Sequence, residues 1–176
     1  MTRYLSPPLF PVLLRDLPNV TLHEIEPPST IEIGGLTIQA DLVTHPGPTL
    51  GYRITCPDGT LAYLPDHEPA LGVAEFPDLP QWTSGYALAQ GADVLIHDSQ
   101  YTDDEYRNRV GWGHSTFGHA LAFAGLAGVV RLVTFHHDPA HSDEMLDRLA
   151  DDLGKRVEVA FEVAPGKAGT EFDLAG

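Results

Sequence analysis

Three apolar, β-like runs of this chain each end in a side chain that can bind a metal ion. The endings are Thr44-His45-Pro46-Gly47, Leu64-Pro65-Asp66-His67-Glu68-Pro69 and Phe135-His136-His137-Asp138-Pro139. A side chain at the end of a buried strand lies at the rim of a sheet, where several strands can direct imidazole and carboxylate groups at one point. The pattern therefore predicts a sheet with most of a binuclear metal site on one edge.

The order of the predicted elements indicates an α/β fold. Up to Asp66, β-forming runs alternate with Pro and Gly turns, and beyond it helices alternate with buried strands. The predicted strands cover residues 20–25, 30–33, 36–43, 49–55, 60–64, 93–97, 132–135 and 157–163. The predicted helices cover residues 79–90 and 115–128, and a third begins after Ser142. We expect residues 1–176 to form a single domain in which residues 1–19 are an irregular arm rich in Pro and Leu.

Composition limits the class of protein and its partners. The chain is 43% hydrophobic and 20% charged, which is ordinary for a globular protein and excludes a disordered one. Its 25 acidic against 10 basic residues give a net charge of −15, which argues against strong unaided binding to nucleic acid. A small-molecule or phosphodiester substrate could still bind through metal ions, whose charge outweighs the local acidity.

Cysteine content and hydropathy restrict the compartment. Cys56 is the only cysteine, so that an internal disulfide and a thiolate zinc site are both excluded. The most apolar segment, residues 120–130, is far shorter than the ~20 residues that span a bilayer. The first twenty residues are interrupted by four prolines and do not form a secretory signal. We therefore predict a cytoplasmic protein without a membrane partner; its oligomeric state stays open, a homodimer included.

Each candidate ligand also has a structural interpretation. His45 before a Pro-Gly turn is, taken alone, typical of a structural histidine. Asp66 follows an apolar run in which an unpaired carboxylate would be costly, and a metal ion would remove that cost, although the residue could also cap a helix. His136 begins a cluster of three imidazoles within six positions, which can combine a ligand with partners that fix its tautomer, or can be a plain surface cluster.

Asp98 and His114 form a second pair of interest. Asp98 ends the apolar run 94–96, and His114 stands in Gly113-His114-Ser115-Thr116 at the start of the next predicted helix. A carboxylate that orients an imidazole makes a competent proton donor to a leaving oxygen. The alternative is a capped helix beside a surface histidine.

Taken together, these segments resemble the metallo-β-lactamase superfamily, and within it the branch that includes ribonuclease Z and related phosphodiesterases. The resemblance is carried by His45 in HPGPTLGYRI, Asp66 in AYLPDHEP, Asp98 in LIHDSQYTDDEY, His114 in GWGHST and His136 in TFHHDPAHSDE. It implies a metallo-β-lactamase-type αββα sandwich and two divalent metal ions, Zn²⁺ or Mn²⁺. It further implies that His45 binds the first ion, that Asp66 bridges both and that His136 binds the second. Asp98 and His114 would be the catalytic acid–imidazole pair beside the leaving group.

The sequence departs from this family at its first motif. No His-x-His-x-Asp-His cluster occurs anywhere in the chain. We therefore expect an incomplete sandwich, the C-terminal portion of such an enzyme, with about two protein ligands for each ion, fewer than the three expected of catalytic zinc.

Three functions follow from the resemblance and from this departure. The first is a metal-dependent hydrolase of phosphodiester type, with little or no activity in this chain alone. The second is a noncatalytic remnant that acts as a binding or assembly module. The third is hydrolysis of a thioester or lactam on the same fold, because fold does not fix substrate.

Overall fold

The computed structural model describes residues 12–13, 16–71, 76–156 and 160–174 of the chain. Within these ranges seven strands form one mixed sheet in which spatial order follows chain order. The strands are β1 (Ser29–Ile33), β2 (Leu36–Val43), β3 (Thr49–Cys56), β4 (Gly59–Leu64), β5 (Val94–Asp98), β6 (Arg131–Phe135) and β7 (Glu162–Pro165). Most of the predicted arm, residues 1–11 and 14–15, lies outside the described residues.

The first four strands are antiparallel and are joined by short connections. Gly34 and Gly35 link β1 to β2, and both have positive φ, 59° and 86°, as a two-residue hairpin turn requires. The predicted turn at Pro57-Asp58-Gly59 is confirmed, because Cys56 pairs with Gly59 across the β3–β4 hairpin. Apolar strand residues that alternate with Pro- and Gly-containing turns thus determine the antiparallel half of the sheet.

The direction of the strands brings the four strand ends that carry candidate site residues to one edge. Strands β4 to β7 are parallel, and β2 runs in the same direction because β3 is antiparallel to both β2 and β4. The carboxyl ends of β2, β4, β5 and β6 therefore meet at the same edge of the sheet. We call it the carboxyl edge.

The helices are α1 (Tyr86–Ala89), α2 (Asp103–Tyr106), α3 (Phe117–Ala127) and α4 (Asp143–Arg156). Residues of α1, α3 and α4 pack in the apolar core on one face of the sheet. Leu64, Leu95 and Leu132, on neighbouring strands, are fully buried in one apolar cluster with Phe123 of α3. Thr116 caps α3, since its side chain accepts a hydrogen bond from the His119 amide at 2.9 Å. The α/β class is confirmed, with a single sheet among the described residues.

Three predicted elements differ from the structure. Residues 20–25 form no strand, and the exposed Val20 and Leu22 pair with no neighbouring strand there. The helix predicted over residues 79–90 is wrong in its middle: a 3₁₀ turn (Pro80–Trp82) and α1 are separated by Gly85, whose φ of 73° cannot occur inside an α-helix. The last strand begins at Glu162 rather than at residue 157, and residues 157–159 lie outside the described residues. No helix in the described ranges has the length and apolar character needed to cross a membrane.

Candidate metal centre at the carboxyl edge

The five residues singled out in the sequence all lie at the carboxyl edge. His45 follows β2, Asp66 follows β4, Asp98 is the last residue of β5 and His136 follows β6 directly. His114 reaches the edge through the segment between β5 and α3, which is tied back by hydrogen bonds from Tyr101 N to Ser115 O at 3.0 Å and from Phe117 N to Tyr101 O at 3.1 Å. Strand direction accounts for four of these positions, and the returning segment accounts for the fifth.

Two overlapping groups of donor atoms are close enough to hold a metal ion. His45, Asp66 and His114 form one group, and Asp98, His114 and His136 form the other, with the donor atoms of each group within 4.8 Å of one another. Nε2 of His136 lies 3.2 Å from a carboxylate oxygen of Asp66, which links the groups. His114 belongs to both groups, whereas the resemblance assigns it to proton delivery.

The Asp98–His114 pair has the geometry of an oriented acid. Nδ1 of His114 lies 2.7 Å from Oδ2 of Asp98, a residue with no exposed surface. Burial alone would lower the pKa of His114, but the hydrogen bond to Asp98 and the charges of Asp98, Asp66 and Glu68 outweigh it and raise that pKa above its ordinary value. The imidazole therefore keeps its proton to higher pH than a free histidine.

Backbone amides fix the position of the Asp98 carboxylate. Its Oδ1 accepts hydrogen bonds from the amides of Ser115 at 3.0 Å and Gln100 at 3.1 Å, and its Oδ2 accepts a longer one from the amide of His67 at 3.3 Å. These donors compensate the desolvation of the charge and fix the carboxylate in position. One of its oxygens thereby faces His114.

A buried histidine pair lies below this carboxylate. His97 Nδ1 is 2.6 Å from the carbonyl oxygen of Asp98, and His97 Nε2 is 2.9 Å from His67 Nδ1. Burial lowers the pKa of His97 to about 4 and that of His67 well below its usual range, so that both rings are neutral. The His67 ring thus packs beside the end of β5 and belongs to neither donor group among the described residues.

Glu68 is the residue that sequence reasoning missed. Its carboxylate is fully buried and accepts hydrogen bonds from the Tyr106 hydroxyl at 2.5 Å, the Gly111 amide at 2.9 Å and the Gly113 amide at 2.8 Å. These donors lie about forty positions further along the chain, so that no local pattern indicates them. The only signal in the sequence is a carboxylate two positions after Asp66, followed by Pro69.

His136 has an unusual backbone conformation. Its φ is 56°, in the left-handed region that residues with a side chain seldom adopt. The conformation lets the ring stack on His114, with ring centres 5.0 Å apart, and approach Asp66. Such a conformation costs roughly 1–3 kcal/mol and is typical of functional sites.

The other histidines of the cluster after β6 serve the fold. His137 stacks on Phe117 with ring centres 5.7 Å apart, and Nε2 of His141 contacts the Glu105 carboxylate at 3.0 and 3.2 Å. Neither residue belongs to a donor group among the described residues. The cluster therefore contributes one donor to the edge, through His136.

The donor set fits a divalent transition metal. Imidazole nitrogens and carboxylate oxygens are the ligands that Zn²⁺ and Mn²⁺ take in the absence of thiolates. Three donors are available to each group only if His114 is counted twice. His45, Asp66 and His136 would therefore hold the metal with fewer protein ligands than a closed site has.

Comparison with known proteins agrees with this geometry. Residues 3–137 match the family model described as the beta-lactamase superfamily domain. A ribonuclease Z of Salinibacter ruber is 33% identical over 118 residues, which are 64% of this chain and 37% of that protein. A ribonuclease Z of Myxococcus xanthus is 25% identical and is covered to 60% of its length, against 81% of this chain. The chain thus spans about a third to three fifths of these two relatives.

Solved structures show the same fold. The metallo-beta-lactamase fold protein YhfI from Bacillus subtilis superposes with a TM-score of 0.60 at 21% identity, over 83% of this chain and 53% of that one. The short form of human tRNase Z superposes with a TM-score of 0.56 at 20% identity, over 82% of this chain and 44% of that one. With the family model matched over most of the chain, this protein belongs to the metallo-β-lactamase superfamily.

Proposed function

We propose that the carboxyl edge belongs to a metal-dependent hydrolase of phosphodiester type. The observation that carries the proposal is the Asp98–His114 pair, an oriented imidazole with a raised pKa where two groups of possible metal donors overlap. The relatives named ribonuclease Z support the same reaction class.

In this proposal the chain's own residues divide the work. His45, Asp66 and His136 would hold two divalent ions, Zn²⁺ or Mn²⁺, and Asp66 would be a ligand of both. When bound, the ions supply a nucleophile from water near neutral pH and withdraw charge from a phosphoryl oxygen. His114 donates its proton from Nε2 to the departing oxygen, because Nδ1 is engaged by Asp98. Asp98 holds the ring in this orientation and stabilises its protonated form.

The pair favours a phosphodiester over a thioester. An alkoxide is a poor leaving group and needs a proton as the bond breaks, whereas a thiolate leaves readily without one. A protonated imidazole at the edge therefore matters most for an alkoxide. The fold alone would permit either substrate.

The alternative is a noncatalytic binding or assembly module. The absence of the His-x-His-x-Asp-His motif from the sequence and the sharing of His114 between both donor groups favour it. Under either function a cytoplasmic location and a homodimer stay predictions.

The experiment compares three activated substrates, an aryl phosphodiester, an aryl thioester and a β-lactam, with added Zn²⁺ or Mn²⁺. We expect slow turnover, confined to the phosphodiester and lost in Asp66→Asn, while calorimetry shows metal uptake by the unsubstituted chain. Preferential hydrolysis of the thioester or lactam would contradict the substrate class. Metal uptake without turnover of any of the three would favour the binding module.

A further inference from the structure

The segment that connects α2 to His114 is held by hydrogen bonds to the buried Glu68 carboxylate. We call residues 107–113 the Trp112 loop. The buried Glu68 carboxylate accepts the amides of Gly111 and Gly113, at 2.9 and 2.8 Å, and the amide of Trp112 donates to the carbonyl of Arg109 at 3.1 Å. Charge-assisted hydrogen bonds to a desolvated carboxylate are strong, so that this loop has a defined backbone position.

The anchored loop exposes its largest apolar side chains. Trp112 is 58% exposed and Val110 is 45% exposed. A tryptophan side chain contributes much free energy when its surface is buried, and a rigid segment that leaves one in solvent presents a preformed surface for stacking. The backbone of the loop thus binds the buried Glu68 carboxylate, while the Trp112 indole is exposed to solvent.

The loop is in contact with the candidate metal centre. Gly113 has a φ of 92°, and a Cβ atom placed there would overlap the His45 ring, so that only a glycine allows the backbone to rest on this imidazole. His114 is the next residue. Trp112 is therefore one position from a backbone that touches a candidate ligand and two positions from the candidate proton donor.

The same loop carries a cation, Arg109, in a strongly acidic protein. The Arg109 guanidinium lies 4.7 Å from the centre of the Tyr101 ring, and that ring contacts the His114 ring edge-on with centres 6.0 Å apart. Stacking on an aromatic face leaves the N–H edge of a guanidinium available for bidentate hydrogen bonds to phosphate. Arg107, by contrast, is exposed and pairs with Asp104 at 3.2 Å.

We propose that the Trp112 loop is the recognition surface for a planar aromatic group attached to the phosphate ester, with Trp112 stacking on the ring and Arg109 binding a phosphate oxygen. The phosphate-ester part rests on the proposed function. The ligand class is a small phosphate ester that carries an aromatic base. A long nucleic acid does not fit, because the net charge of −15 repels a polyanion.

The test uses the two tryptophans of the chain as reporters. Trp82→Phe leaves Trp112 as the sole tryptophan, and Trp112→Leu leaves Trp82, which is also exposed. Both proteins are titrated with adenosine 5′-monophosphate and with ribose 5-phosphate, in EDTA so that no metal contributes. We expect saturable quenching of Trp112 by the nucleotide and none by the sugar phosphate, and no saturable quenching of Trp82.

Calorimetry then measures the contribution of each side chain. We expect Trp112→Leu and Arg109→Gln each to weaken nucleotide binding about tenfold, in line with one stacking contact or one charged contact to phosphate. Arg107→Gln, the matched control in the same loop, should bind like the unsubstituted chain. All three positions are exposed or half-buried, and a melting curve confirms that each variant is folded.

The outcomes separate this proposal from the proposed function. Equal binding of ribose 5-phosphate and the nucleotide, a lack of Trp112 quenching, or an equal loss in Arg107→Gln would overturn the recognition surface. A chain that shows the quenching but takes up no Zn²⁺ or Mn²⁺ would retain the recognition surface and refute the metal-dependent function. Metal uptake without quenching would retain the metal centre and refute the recognition surface.

Discussion

Nδ1 of the His114 imidazole lies 2.7 Å from Oδ2 of Asp98, and the Asp98 carboxylate has no contact with solvent. Three backbone amides also donate to this carboxylate. The backbone of the fold therefore fixes the position of the pair. The pair joins the end of β5 to the segment before α3 and favours the protonated form of His114.

The first prediction concerns the pKa of His114. In Asp98→Asn we expect this pKa to fall, since the hydrogen bond and the charge of Asp98 that raise it are lost while burial remains. An NMR titration that follows the histidine ring protons in EDTA measures this pKa, and the spectrum of His114→Gln assigns the resonance. An unchanged pKa would mean that Asp98 does not hold the proton on the ring.

The same pair makes stability depend on pH. The folded-state pKa of His114 lies above its unfolded value of 6.5, so that the stabilisation is fully present below pH 6.5 and is lost as the pH rises through the folded pKa. The difference in the free energy of unfolding between the unsubstituted chain and Asp98→Asn, measured with denaturant across this window without metal, should therefore narrow toward alkaline pH. The remaining difference reflects the three backbone amides that donate to Asp98. A difference that grows with pH would contradict the assignment.

The second prediction tests the Glu68 anchor. Glu68→Gln replaces a carboxylate that accepts three hydrogen bonds by an amide whose NH₂ group faces a backbone N–H. We expect this change to lower the free energy of unfolding by about 2 kcal/mol or more. The Trp112 loop should then be cut faster by trypsin after Arg107 and Arg109. Mass spectrometry of the fragments identifies these cuts.

The matched control is Glu32→Gln, which makes the same chemical change at an exposed carboxylate bonded to the Thr37 hydroxyl. Its trypsin pattern should equal that of the unsubstituted chain. Equal cleavage rates in Glu68→Gln and the unsubstituted chain would show that other contacts hold the loop.

The third prediction concerns strain at His136. At a φ of 56°, glycine should be more stable than alanine by about 1 kcal/mol, because only a Cβ atom makes this conformation costly. The free energies of unfolding of His136→Gly and His136→Ala provide the comparison, since both lack the imidazole. Both variants should bind Zn²⁺ more weakly than the unsubstituted chain. If alanine is as stable as glycine, the residue is not strained.

The fourth prediction concerns the contact between Glu105 and His141. Burial would raise the pKa of Glu105, but hydrogen bonds to His141 and Thr102 outweigh it and lower that pKa to about 2 from 4.5. A depressed carboxyl pKa stabilises the fold fully above pH 4.5, and this stabilisation is lost as the pH falls toward 2. Glu105→Gln should therefore destabilise the chain at neutral pH and progressively less in acid. A constant difference would exclude this linkage.

Local sequence predicted the strand ends because their signals are local. Apolar runs closed by Pro and Gly turns placed His45, Asp66 and His136 at strand ends, and alternation of helices and strands indicated a sheet with helices packed on it. The role of Glu68 could not be found in this way, because its donors are distant in sequence. The break at Gly85 was missed for a similar reason: a Cβ atom there would lie only 3.0 Å from the His67 ring.

The measurement that tests the central claim most directly is anomalous diffraction at the zinc edge from crystals of this chain grown with Zn²⁺. We predict an anomalous peak at the carboxyl edge, with Asp66 and at least one of His45 and His136 about 2.0–2.2 Å from the ion. A peak elsewhere on the protein, or no peak while Asp66 and His136 keep their 3.2 Å contact, would contradict the metal centre.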